Sequence, residues 1–166
     1  TAADVMDITL GAGKNSVDFG AEGLTADKVT GTTGTDTVKI QEAATAVEMT
    51  VANVDTVSLS GAGAGKTISM KNVTATNLEI TDAGTNTNGS DNVKVTNVNQ
   101  AVTIKTAASA AYAGDTVTLD LATGVTSQDV TFSGGTALVT PTLTIDGTSL
   151  SITDSIANAS TAFSLN

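Results

Sequence analysis

The sequence predicts an all-β chain built as a parallel β-helix or related β-solenoid, with an antiparallel β-sandwich as the alternative. Three observations carry this. Short runs with an apolar residue at every second position fill the chain from end to end. Their centres recur about every 10 to 12 residues, between clusters of Gly, Asn, Ser and Asp. Some runs also repeat one another: Asp-Thr-Val opens a run at Asp36, Asp55 and Asp115, and Asp91-Asn92-Val93 is a near copy. Self-similarity at the scale of one or two strands points to units that bury an apolar side on their neighbours. The spacing is uneven, 19 residues from Asp36 to Asp55 and 24 from Asp91 to Asp115. Variable loops in a solenoid produce this, and so do irregular hairpins in a sandwich.

In chain order the runs are DVMDITL, DTVKI, AVEMTV, DTVSLS, KTISMKN, NLEITDA, DNVKVTN, AVTIKT, DTVTLDLA, DVTFSG, TLTIDG and SLSITDS. Val38 and Ile40, Val57 and Leu59, Ile68 and Met70, and Val93 and Val95 show the period of two. Their β-branched centres suit a pleated surface and disfavour a helix. Two Ala/Thr-rich segments invite a helix, around Glu42 and around Ala108, and both are short enough to be a loop or single turn. Pro141 interrupts ALVTPTLTI and predicts an edge position or a bend. No segment has the composition of a linker, so residues 1–166 are expected to form a single all-β repeat segment. The start at Thr1 suggests a piece of a longer surface protein.

Composition narrows the function. Hydrophobic residues are 40% of the chain but aromatics only 2%, so Val, Ile, Leu, Ala and Thr methyls must fill the core. With one Tyr, three Phe and no Trp, stacking on sugars or bases has little to work with. A net charge of −10, with seven lysines and no arginine, excludes a cationic footprint for nucleic acid. Absence of Cys and His removes thiolate chemistry, the usual zinc ligands and the usual general base. No apolar run approaches the roughly 20 residues that cross a bilayer, so no membrane insertion is expected.

Each candidate motif has a plainer reading. SGAGAGKT, Ser60 to Thr67, ends like a phosphate-binding loop, but the first glycine is Ser60 and the following ISMKNVT alternates as a strand where a helix is needed. It reads as a Gly-rich turn. GTTGTDTVK matches the calcium nonapeptide G-G-x-G-x-D-x-U-x at Gly31, Gly34, Asp36 and Val38, with Thr32 for the second glycine. Fainter echoes are LGAGKNSVD, with Asn15 in the Asp place, and NTNGSDNVK, with Gly89, Asp91 and Val93. These make Gly31, Gly34, Asp36, Gly89 and Asp91 the candidate Ca²⁺ positions. The simpler expectation is that such an Asp caps a turn. Asp82 to Asp91 fails as an EF-hand loop, because Gly84 and Val95 stand where acidic ligands belong, and Asn88-Gly89 suits a hairpin turn or solenoid corner. The Asn-x-Ser/Thr triplets at Asn72, Asn88 and Asn158 are expected by chance in so Thr-rich a chain. No nucleophile, base and anion-holding residue converge on a catalytic site, so no enzyme is expected. A polysaccharide-acting enzyme on a β-helix would need Lys39, Lys71, Lys94 or Lys105 grouped with carboxylates in one groove.

The Thr/Ala/Gly/Val/Asn-rich runs, TGTTGTDTV, VANVDTVSLSG and NVTATNLEITDAG resemble the repeat body of type I-secreted bacterial surface-layer proteins and their calcium-binding (RTX) relatives. The resemblance covers Asp4 to Asp154 as a style of sequence, without the tandem glycine repeats of RTX proteins. It implies an extracellular, bacterial cell-surface location, lattice formation by self-association, assistance from Ca²⁺, and no catalysis. Contact with cell-envelope polysaccharide would fall to another region. Exposed strand edges at the two ends of a solenoid would also allow end-to-end association. The rival of a different class is a binding module: an adhesin, a phage-fibre segment or a flagellin outer domain.

Overall fold

The computed structural model describes residues 5–20, 26–41, 47–61, 66–82, 92–106, 116–134, 142–146, 149–154 and 163–165. They form two parallel sheets. Sheet A contains β1 (Asp7–Thr9), β2 (Gly13–Asp18), β3 (Lys28–Thr30), β4 (Gly34–Gln41), β6 (Thr50–Gly61), β8 (Val73–Asp82), β10 (Ala101–Thr106), β12 (Ser127–Gly134) and β14 (Ser149–Asp154). Sheet B contains β5 (Val47–Glu48), β7 (Lys66–Ser69), β9 (Asn92–Val98), β11 (Thr116–Leu121), β13 (Thr142–Asp146) and β15 (Phe163–Leu165).

From β5 onward the chain alternates between the sheets, each strand pairing in parallel with the strand one circuit later in its own sheet. Parallel neighbours cannot be joined by a two-residue hairpin; they need a long crossover. Here the crossover is the strand of the opposite sheet, which makes the molecule a β-solenoid and excludes the sandwich for these residues. Register shows the circuit length varying: Asp7 pairs Lys28, Asn77 pairs Ala101, and Val102 pairs Val130.

The self-similar triplets stack. Thr37 pairs Thr56 and Val38 pairs Val57, which lays the Asp36 run on the Asp55 run. Thr116 pairs Asn92 and Val117 pairs Val93, which lays the Asp115 run on the Asp91 run in sheet B. The uneven 19- and 24-residue spacings are therefore circuit lengths.

Inward positions form continuous columns. Val38, Val57, Leu78, Val102 and Val130 make one in sheet A, and Ile40, Leu59, Ile80 and Ile104 a second. Ile68, Val95, Leu119 and Ile145 make the facing column in sheet B. All are at most 3% exposed and belong to one core cluster. Burying each such side chain contributes about 1.5–3 kcal/mol, so aliphatic stacking alone can hold a thin core without aromatics. The outward positions carry Thr, Ser, Lys, Glu and Asp, as with Lys39, Glu79 and Thr103.

Three strands escape the sequence reading. β2 (GKNSVD), β3 (KVT) and β15 (FSL) are short or carry little apolar alternation, and are held by their neighbours in the ladder. Of the two segments that invite a helix, residues 42–46 and 107–114 fall outside the described residues, while Gln41 ends β4 and Val47–Glu48 is β5; Pro141 and the Asn88-Gly89 turn also fall outside. Among the described residues no helix is long and apolar enough to cross a membrane.

Candidate functional site

The feature with the most concentrated polar chemistry is a corner of sheet A. In six successive circuits the position two residues before the Val or Leu of the first column is polar: Asn15, Asp36, Asp55, Thr76, Gln100 and Gln128. Alternation turns this position toward the interior, where an apolar residue is expected. Asp36, Gln100 and Gln128 are buried accordingly.

The polar groups satisfy each other along the solenoid axis. Asn15 Nδ2 donates to Asp36 Oδ1 at 2.7 Å and to the Gly11 carbonyl at 2.7 Å. Asp36 Oδ2 accepts from the Thr32 amide at 3.3 Å, and the Asp36 amide donates to Asp55 Oδ2 at 2.7 Å. Further along, Gln128 Nε2 donates to the Gln100 carbonyl at 2.8 Å, and Gln100 Nε2 to the Val73 carbonyl at 3.2 Å. A buried polar group without a partner costs about 1–3 kcal/mol; the Asn15–Asp36, Asp36–Asp55, Gln100–Val73 and Gln128–Gln100 bonds tie one circuit to the next, while those to Gly11 and from Thr32 stay within a circuit.

Close backbone approach makes this corner possible. A Cβ on Gly34, whose φ is +132°, would collide with the Gly13 backbone. One on Gly31 would collide with the Asn53 carbonyl and come within 2.8 Å of Asp36 Oδ2. Asn53 itself sits at φ 56° where the β6–β8 register shifts between Val51 and Val54. Asn97, at φ 58°, does the same in β9, where the β9–β11 register shifts. Asn tolerates the left-handed region better than most residues, and at both places it turns a strand through a corner.

The column is interrupted at Thr76, which is exposed. There the surface opens into a groove of about 320 Å³ lined by Thr32, Gly34, Asn53, Val54, Asp55, Thr74, Ala75 and Thr76.

The calcium positions divide. Gly13 pairs Gly34, Asn15 pairs Asp36 and Val17 pairs Val38, so two echoes of the nonapeptide lie on successive circuits. Asp36 is 1% exposed and stands inside β4, its carboxylate held by Asn15 of the neighbouring circuit and by the Thr32 amide of the segment that leads into the strand. Gly89 and Asp91 lie outside the described residues. Among the described residues no group of three or more acidic side chains comes together, whereas Ca²⁺ takes six to eight oxygens.

The four candidate lysines are spread over the fold, with Lys39 on β4 of sheet A. Lys94 pairs Asp120 at 2.8 Å on sheet B, Lys105 pairs Glu79 at 2.6 Å on sheet A, and Lys71 stands in the turn between β7 and β8. In the Gly-rich segment, Lys66–Ser69 is a strand paired with β9. The helix N-terminus that a phosphate loop requires is not there.

Sequence reading recognised the Asp-Thr-Val copies but missed the wider rule, a polar residue two before a core Val. Asn15-Ser-Val17, Gln100-Ala-Val102 and Gln128-Asp-Val130 obey it as well. Compared with protein families, curated proteins and solved structures, the chain matches none, so the likeness to surface-layer or RTX proteins stays one of sequence style.

Proposed function

We propose that this chain is a structural segment of a bacterial cell-surface layer, exported and self-associating through its β-solenoid. The observation that supports this most directly is the stack itself. Successive circuits bury the same aliphatic columns, present a polar outer surface, and spend their interior polar groups on joining one circuit to the next. Such a stack extends rung by rung, and its Thr-rich, acidic composition suits an aqueous exterior.

Two experiments test the reading. Antibody against the purified chain should label intact cells of the source bacterium, and label restricted to permeabilised cells would refute the surface location. Sedimentation of the purified chain should show association that grows with concentration; a strictly monomeric chain at all concentrations would refute self-assembly. Calcium assistance is tested by thermal unfolding in millimolar Ca²⁺ and then in chelator. A Ca²⁺-dependent rise in Tm that Asp36→Ala abolishes assigns the ion to this corner. An unchanged Tm leaves Asp36 as a hydrogen-bonded strut.

A further inference from the structure

We infer that the groove beside Asp55 is a binding site for a primary ammonium group. The site goes beyond the structural role proposed above and holds whether or not the chain self-associates.

The corner of sheet A contains the same carboxylate on two neighbouring circuits: Asp36 and Asp55 are adjacent in register, each two residues before a core Val. Asp36 has both oxygens engaged. Asn15, one register step away, donates from Nδ2 to Oδ1 at 2.7 Å, and the amide of Thr32, four residues earlier, donates to Oδ2 at 3.3 Å. Asp55 keeps only part of this arrangement. Its Oδ2 accepts from the Asp36 amide at 2.7 Å, but among the described residues no protein group donates to Oδ1. The amide of Val51, four residues before Asp55, is spent on the Asn72 carbonyl at 3.0 Å. Thr76, the register neighbour on the other side, is exposed, and its shorter side chain does not take the part that Asn15 plays. Asp55 is half-buried, so this oxygen has lost some of its water without gaining a protein donor. The groove of about 320 Å³ opens beside it.

The lining selects the ligand. A carboxylate oxygen accepts, so it calls for a donor or a cation. Thr32 Oγ1 already gives its proton to the Leu10 carbonyl at 3.0 Å and offers a ligand only lone pairs. Thr74 and Thr76, both exposed, add two more hydroxyls. Among the described residues no lysine lines the groove, and the net charge of −10 raises the local concentration of cations. Ca²⁺ takes six to eight oxygens, and the lining supplies one carboxylate. No aromatic ring stands among the described lining residues, so a quaternary ammonium lacks a π-face to sit on. A primary ammonium, a compact charge with three N–H donors, fits: one hydrogen serves Asp55 Oδ1 and the others serve hydroxyl oxygens. The Asn15–Asp36 contact is the same nitrogen-to-carboxylate bond, made within the chain one circuit away.

The test is an NMR titration of the chain with n-butylammonium, following the backbone amides of Thr32, Asn53, Asp55 and Thr76. Saturable shifts at these amides are expected. Asp55→Asn keeps an oxygen for the Asp36 amide but removes the charge, and should weaken binding about tenfold. Thr76→Asn brings a side-chain amide to Asp55 from the neighbouring circuit, as Asn15 does to Asp36, and should block the site to a similar extent with the carboxylate still in place. The dispersed amide spectrum of each variant shows that it folds. Absence of saturable shifts in the wild-type chain overturns the site, and so does an affinity left unchanged in either folded variant. An equal response to tetramethylammonium, which has no N–H, or tighter binding of Ca²⁺ at the same amides, overturns the assignment to a primary ammonium. The ammonium can come from a free amine or from a lysine of a second copy, and sedimentation separates the two sources. Association weakened by Asp55→Asn and by millimolar butylammonium assigns the second copy's lysine; association unchanged by both assigns a free amine.

Discussion

At the residue scale, Gly34 and Gly13 face each other on neighbouring circuits, and both have positive φ. Only at Gly34 does the added Cβ meet backbone; at Gly13 it meets open space. Gly13→Ala therefore bears conformational strain alone, about 1–2 kcal/mol, while Gly34→Ala adds a backbone collision and should lose about 4 kcal/mol in urea unfolding. Equal losses at the two positions would show that the circuits are not packed this closely. Asp36→Ala removes the acceptor for Asn15 and for the Thr32 amide in a buried corner and should lose about 2–3 kcal/mol. Of this corner the Asp-Thr-Val copies were legible in the sequence. That Asn15 is the partner of Asp36 was not, because the two are 21 residues apart and only the circuit length brings them together.

At the element scale, strand pairing and corner chemistry act together. Gln128 stands at an inward position of β12 and reaches back to the Gln100 carbonyl of the previous circuit. At the next register position the chain carries Leu150, so this column changes from polar to apolar within one step. Gln128→Leu keeps the bulk of the side chain but leaves the Gln100 carbonyl without this donor, and should lower the urea midpoint by the equivalent of about 1–3 kcal/mol. A neutral outcome would mean that the carbonyl finds another donor. The corner asparagines differ from these ladders in kind. Asn53 and Asn97 are selected by backbone conformation at the two register shifts; in the sequence Asn53 falls between the runs AVEMTV and DTVSLS and Asn97 ends the run DNVKVTN, so a break is legible there but its left-handed backbone is not.

At the scale of the molecule, each circuit touches only the circuits before and after it, so stability is a chain of nearest-neighbour terms. Leu78 lies in the middle of the sheet A column and is fully buried. Leu78→Ala should lose about 3–4 kcal/mol and speed hydrogen exchange in the strands on both sides, β6 and β10. Ile145 is just as buried but belongs to β13, next to the last described strand of sheet B. Ile145→Ala should raise exchange mainly in β13 and β15 while the central circuits keep their protection. Uniform loss of protection from both substitutions would show a single cooperative unit in place of a graded stack.

What the sequence by itself determined is the strand content, the apolar face of most strands, the all-β class and the aliphatic character of the core. These follow from period-two alternation, β-branched centres and the scarcity of aromatic residues, all of which are local or compositional. Only the tertiary structure decided between solenoid and sandwich, because an alternating strand has the same appearance whether its neighbour runs parallel or antiparallel. The same holds for the axial hydrogen-bond column and for the aliphatic columns of the two sheets. Each depends on circuit lengths that change from turn to turn, from Asp7–Lys28 to Val102–Val130, and no fixed repeat in the sequence reveals which residues they bring into line.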